Sequence, residues 1–484
     1  MRRQLTLLEA LLPLLTLVGL LIGGALTIGL GGELLVAVIL TAAATAGMIA
    51  VRHGATWDDI QRSTGDKVGA VLPALLILLA IGMLIATWVL SGTIPFLVYW
   101  GVRLVRPDLL VVTAFLATAL MSLCTGTSWG SAGTIGVALM GMAAALDAPL
   151  GATAGAIVSG AYFGDKMSPL SDSTNICAIG ADAPLYAHIR HMLYTALPSF
   201  VIALAVYALA ARLTPVAPGG LPETARVLLS DLDTVFNLHW LTLLPPAVVL
   251  WSIMRSTPAA LAITLSSLAG IAIGVVLQGF GIQDAVSAAV AGFRSEMIAG
   301  VDADTLSPAF TTLVQRGGLY SMATTLIVVI SAFLLAGAMD VAGALDLLIR
   351  RMLDAVRSVF GLIAATMAAG ATMIGLTSHG GVTALVIGGL FQQAYRERGL
   401  DTVNLSRSLE DSVTITEPLM PWTVSAVFMA TTLGVPTVVY APWAVFCYCG
   451  PFFSLLIAGL YRYTHVGVRE ASASAGVALE AVSH

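Results

Sequence analysis

Twelve long stretches of this chain contain no Asp, Glu, Lys or Arg: 10–32, 34–51, 68–102, 109–146, 148–164, 192–211, 240–254, 256–283, 317–339, 358–378, 380–395 and 418–461. A helix needs about 20 apolar residues to cross the hydrocarbon layer of a bilayer. Three of the windows, at 35, 38 and 44 residues, are too long for one crossing and must contain a break or hairpin. Their interiors mark where: Ser91-Gly92-Thr93 with Pro95, Thr125 through Gly130, and Gly434 through Pro436. A break frees backbone N–H and C=O groups that lipid cannot satisfy, so it persists only where protein or a watery cavity surrounds it. The expected fold class is therefore all-α, a polytopic membrane protein of about 10–12 transmembrane helices in two structural repeats with broken helices or hairpins.

Composition agrees. Hydrophobic residues make up 58% of the 484 and charged residues 10%, against about 25% charged in soluble chains. A net charge of −5 gives no basic surface for nucleic acid, which is excluded as a partner. The four cysteines lie in apolar stretches without a CxxC pair, so neither a zinc site nor a disulfide framework is indicated. No GxxxxGK[ST], HExxH or strand-borne GxGxxG occurs, which leaves no motif for ATP-driven work, metalloprotease chemistry or a dinucleotide cofactor. Arg2-Arg3 ahead of the run 10–32 resembles a signal sequence, but the run exceeds a typical signal core and reads as a retained first span. With Arg52, Arg62 and Lys67 it predicts a cytoplasmic N-terminus in the inner membrane.

An internal repeat organises the chain. Residues 103–136 align with 353–386 at an offset of 250, placing Thr127-Ser128-x-Gly130 on Thr377-Ser378-x-Gly380. Some 30 to 40 residues after each comes a polar knot, 164–175 (GDKMSPLSDSTN) and 409–418 (LEDSVTITEP). Gly-interrupted helices followed by acidic breaks in both halves are the pattern of a secondary transporter. The expected division of the single membrane transport domain is N-terminal helices 1–67, first repeat 68–211, connecting helices and loops 212–316, second repeat 317–465 and a flexible C-terminal tail 466–484.

The knots carry the candidate chemistry. Charges at membrane depth are costly and usually line ion or proton paths. Asp165 and Lys166 are expected to pair, leaving Asp172 to hold either a cation or a proton, a competition that is the simplest physical basis for exchange. Ser168, Ser173, Thr174 and Asn175 add the hard oxygen donors that suit Na+. In the second knot Glu410, Asp411 and Glu417, with Ser412 and Thr416, form a carboxylate group whose members raise one another's proton affinity. Thr127, Ser128, Thr377 and Ser378 sit at the Gly breaks, where opened helix ends offer carbonyls and positive N-termini to a central site. His379 is a candidate proton relay. His188 and His191 read as interfacial anchors, and Asp340 as a weaker site candidate. The Na+ ligands singled out are Asp172, Asn175 and Asp411.

GTSWGSAGTIGVALMG, GAYFGDKMSPLSDSTN, HIRHMLYT and LSRSLEDSVTITEPLMPW together resemble the NhaC-type Na+/H+ antiporters, a family that includes sodium-lactate/malate-proton exchangers. The resemblance covers roughly 70–465 and implies an ion-transporter fold exchanging Na+ against H+, with Na+ as coupling ion, no other cofactor and no catalytic residues. The family motif falls on Asp165, Lys166, Ser168, Asp172, Ser173, Thr174 and Asn175, and on Glu410, Asp411, Ser412 and Pro418. Glu417 departs from it, standing where related chains more often carry a small neutral residue.

Three functions are consistent with the residues. The first is Na+/H+ antiport, with the lipid bilayer, Na+ and H+ as partners and a second copy of the chain as a candidate one. The second is Na+-coupled transport of a small organic solute, a carboxylate such as malate or lactate or an amino acid, with Lys166 holding a carboxylate or Glu417 an amine. The third and most remote is an intramembrane hydrolase using Asp165 and Asp172 as an acid–base dyad.

Overall fold

The computed structural model describes residues 5–27, 32–213, 221–255, 257–301, 305–354 and 356–471. Arg2 and Arg3 lie outside them, as do 472–484. Among the described residues every regular element is helical, with one isolated bridge, Leu400 to Glu470. Nine helices among the described residues are long and apolar enough to cross a membrane, or up to eleven if two sharply bent pairs each count as one span. The chain is a multi-pass membrane protein.

All three over-long windows are broken where glycine allows it. Leu72–Leu90 stops before Gly92 (φ +76°) and Thr93–Leu104 follows; Leu110–Thr125 stops at Gly126 (φ +69°); Val424–Leu433 stops at Gly434 (φ +72°) and bends by 86° into the next segment. The left-handed backbone at each position costs glycine nothing, whereas a side chain would be strained.

The repeat is present in the structure, but at an offset of 252 rather than 250. The left-handed residue ending the first broken helix is Gly126 in one half and Ser378 (φ +58°) in the other. The caps that follow are Thr127 and His379. Thr125 Oγ1 meets Ser131 Oγ at 3.3 Å, and Thr377 Oγ1 meets Thr383 Oγ1 at 2.5 Å. Pro169 and Pro421 match, and so do Ser171 and Thr423, each accepting from the N–H three residues on at the head of Asp172–Ala181 and Val424–Leu433. These two helices end at left-handed Asp182 and Gly434, and Pro184 and Pro436 come next. Small-residue helices align passably at several offsets, so the sequence match slipped by two; caps and prolines, fixed by backbone geometry, set the register.

The correction changes which residues are equivalent. Ser128 pairs with Gly380, and Asp165 with Glu417; Lys166 pairs with Pro418, and Glu410 and Asp411 with Val158 and Ser159.

The two halves exchange arms. One hydrophobic core is built chiefly on helices of the first half yet contains Phe428, Met429 and Leu433; the other, on the N-terminal and second-half helices, contains Cys177 and Ala181. Small residues permit the close crossings. A Cβ on Gly160 would lie 2.3 Å from Phe115 O, and one on Gly388 would lie 2.3 Å from Gly180 O, distances at which helix backbones touch. The exchange carries each acidic break to the centre of the molecule.

Outside this centre, Trp57–Ala70 forms a helix with a capping box at Thr56 and packs on Ala323–Val341, with Thr64 against Gly337. Its Lys67 is 3.0 Å from Asp340, which also accepts from Ser63 at 3.1 Å. Asp340 is thus a surface clasp rather than a site residue. The connecting stretch 212–316 includes the short helices Glu223–Val235 and Pro308–Val314. Residues 466–471, expected in a free tail, are pinned: Asp401 N donates to Arg469 O (2.9 Å) and Ala471 N to Gly399 O (2.8 Å).

Candidate functional site

Leu150–Met167 brings Asp165 to the end of a helix whose glycines press it against Leu110–Thr125. Its carboxylate therefore reaches the break of the neighbouring helix, where Oδ2 accepts from Ser128 Oγ at 2.9 Å and from Ser173 Oγ at 3.5 Å. The equivalent carboxylate, Glu417, reaches the other break and accepts from Gly380 N at 3.2 Å. Each acid thus caps the start of the second half-helix in its own repeat, where unpaired N–H groups and the helix dipole favour negative charge.

Both acids line one cavity of about 440 Å3, together with Thr127, Ser128, Ser173, Asp172, His379 and Tyr162. Asp172 is exposed at this cavity. The Nδ1 of His379 and the hydroxyl of Tyr162 are buried without a hydrogen-bond partner. Trp129 stacks on Phe428, centroids 4.4 Å apart and planes 11° apart, as part of the wall. At the equivalent position of the other half Gly381 faces Ile176, and a Cβ there would lie 3.3 Å from Ile176 Cδ1.

A second polar cluster lies outside that lining. Lys166 is fully buried and donates to Asp411 Oδ1, so the expected Asp165–Lys166 pair is not formed. Thr195 Oγ1 also donates to Asp411, at 3.3 Å. Thr174 Oγ1 lies 3.2 Å from Glu410 Oε1 and 3.1 Å from Lys166 O. Glu410 Oε2 and Asp411 Oδ2 have no hydrogen-bond partner. Arg407, fully buried about one turn earlier along the chain, donates to Gly467 O. Lys166 and Asp411 form an ion pair, which lets both charges remain buried.

The other predicted residues divide between lining and scaffolding. Ser168 Oγ accepts from Leu170 N in the turn, and Asn175 donates to the carbonyls of Pro169 and Ser171. Ser412 and Thr416 return their hydroxyls to carbonyls four residues back. Thr377 is engaged with Thr383, and Ser378 supplies the left-handed turn and a carbonyl for Val424 N. The proposed ligand trio is dispersed: Asp172 is at the cavity, Asn175 is tied into its turn, and Asp411 is locked to Lys166. No group of three or more His, Cys, Asp or Glu is arranged for a metal among the described residues. His188 and His191 are buried inside Leu185–Leu213 rather than interfacial.

Sequence reasoning missed Tyr162, Ser425 and Thr195. Tyr162 sits one helical turn before Asp165, so the same face could have been read from spacing. Ser425, which lines the cavity and bonds to Glu417, is the counterpart of Ser173 at the offset of 252, and Thr195 is brought in by tertiary packing.

A helical membrane fold with paired broken helices and acids facing a central cavity defines a secondary cation transporter. Residues 160–460 match the Na+/H+ antiporter family. The chain is 41% identical to an uncharacterized Na+/H+ antiporter of Haemophilus influenzae, over 94% of this chain and 96% of that one. It is 34% identical to the Na+/H+ antiporter NhaC of Alkalihalophilus pseudofirmus (85% and 86% covered), and 31% identical to a malate-2H+/Na+-lactate antiporter of Bacillus subtilis (86% and 86%). The chain belongs to the NhaC-type Na+/H+ antiporter family.

Proposed function

We propose that the chain exchanges Na+ for H+ across the cytoplasmic membrane, its N-terminus inside, with Asp165 and Glu417 as the carboxylates for which the two ions compete. The observation that carries this reading is their equivalence: both cap the start of a broken helix and both face one cavity. A carboxylate holding Na+ cannot hold a proton, so each ion displaces the other. Ser128 and Ser173 donate to Asp165 while the cavity is free of cation, and by rotating their hydroxyls present oxygen lone pairs to Na+. The Lys166–Asp411 pair, with Glu410 beside it, serves as a fixed electrostatic bolt between the halves. Two competing acids allow two protons to be exchanged for one Na+.

Transport of an organic carboxylate fits less well. No Lys or Arg lines the cavity among the described residues, and the buried Lys166 is engaged with Asp411.

The test is Na+-driven proton movement in liposomes holding the purified chain. A Na+ pulse on one side should draw protons out of the opposite compartment toward it, and Asp165→Asn should abolish the response; an undiminished response would remove Asp165 from the mechanism. Because Na+ stabilises the deprotonated acid, more Na+ demands more acid to displace it. With two protons displaced per Na+, raising Na+ tenfold above its dissociation constant should move the half-maximal pH about half a unit lower.

A further inference from the structure

The cavity is larger than Na+ requires. At about 440 Å3 it falls in the range of small-molecule pockets, roughly 300–1,000 Å3, whereas one water occupies about 30 Å3 of liquid. Its fixed charges are one-signed, with Asp165, Asp172 and Glu417 on the wall beside the His379 imidazole and no Lys or Arg among the described residues lining it. The wall also carries the Trp129 and Tyr162 rings, whose faces attract cations. Tyr162 is only 2% exposed, and its hydroxyl, near Ser425, makes no well-formed hydrogen bond. A buried hydroxyl normally finds one, so a donor supplied by the cargo would complete it.

The same wall rejects carboxylates. The helix starts that would welcome an anion are already taken: Asp165 accepts from Ser128 and Glu417 from Gly380 N, while the Thr127 hydroxyl caps Gly130 N. An amino acid would place its carboxylate against these acids.

We propose that the cavity also admits a small organic ammonium ion bearing no carboxylate, a protonated alkylamine or alkyl diamine, as an alternative cargo to Na+. The ammonium N–H groups bind Asp165, Glu417 and the Tyr162 hydroxyl, and the methylenes lie along Trp129. A diamine spans both repeat-related acids. The inference rests on Asp165 and Glu417 being the cation-binding carboxylates.

Calorimetric titration of the purified full chain in detergent tests it, using n-butylamine, 1,4-diaminobutane, lysine and butyrate in Na+-free buffer, each repeated with Na+ added. Both amines should bind and be displaced by Na+; lysine should bind at least tenfold more weakly than the diamine, and butyrate not at all. Glu417→Gln should weaken the diamine at least tenfold. The competition on the unaltered chain decides the matter even if that variant fails to fold. Absence of amine binding where Na+ binds, or amine binding indifferent to Na+, overturns the inference and leaves antiport intact. Lysine binding equal to the diamine's overturns the exclusion of carboxylates. Amines that bind competitively with Na+ in a chain showing no Na+-driven proton flux would sink the antiport reading instead.

Discussion

The two halves of this protein share a skeleton residue for residue over the site and differ in what they hang on it. Asp165 and Glu417 occupy the same place, and each has a serine hydroxyl beside it, Ser173 and its counterpart Ser425, but Asp165 also accepts from the Ser128 hydroxyl where Glu417 accepts from the N–H of Gly380. A hydroxyl can turn from donor to acceptor; an N–H cannot. The first half therefore offers Na+ one hydroxyl oxygen more than the second. Next to Asp165 stands Lys166, while next to Glu417 stands Pro418. Lys166 crosses to Asp411, whose counterpart is Ser159, so the charged bolt exists once and breaks the symmetry. The wall differs too: a Trp129–Phe428 stack in one half, Gly381 and Ile176 in the other. Repetition supplies two acids at one cavity, and divergence gives them different work.

The bolt offers the hardest way to break this comparison. Lys166→Met leaves Asp411 uncompensated and should destabilise the protein by about 3–5 kcal/mol, seen as a large fall in the thermal unfolding midpoint in detergent. Adding Asp411→Leu should restore much of that loss. The two competing acids come next. Asp165→Asn should cut Na+-driven exchange about a hundredfold and Glu417→Gln about tenfold, the range expected for charged contacts worth about 1.5–3 kcal/mol. Equal losses would mean that the Ser128 hydroxyl, for which Gly380 has no counterpart, adds nothing to the role of Asp165. The aromatic stack is a smaller term. A double-mutant cycle of Trp129→Ala and Phe428→Ala should return a coupling of about 0.5–1.5 kcal/mol in unfolding free energy, and introducing Trp at the matching glycine, Gly381→Trp, should slow exchange without restoring symmetry. The least effect belongs to Asp172→Asn, because its carboxylate is exposed at the cavity. Apparent Na+ affinity should weaken about threefold at low ionic strength, and the difference should shrink at physiological salt as screening takes over.

The site was partly legible before folding. Both polar knots and the Thr127–Ser128 break were found from residue type alone, since charges and hydroxyls crowded together at membrane depth are costly and are retained mainly along ion paths. Within the knots the ranking was not legible. Asp172 and Asp165 look alike in a string of letters, yet one ends exposed at the cavity and the other caps a buried helix. Glu417 seemed a departure, and becomes the partner of Asp165 once the register is 252.

The chain's composition and its charge-free windows determined the helical membrane fold and the three glycine breaks, because lipid tolerates few alternatives for a backbone that must satisfy its own hydrogen bonds. Tertiary structure alone decided that Lys166 meets Asp411 across 245 residues, that Asp165 and Glu417 share one cavity, and that Ser412, Thr416 and Asn175 are scaffolding. Those outcomes depend on two halves exchanging arms. Contacts between residues so distant in the chain leave no local periodicity to read, and they are fixed only when small residues let the helices close on one another.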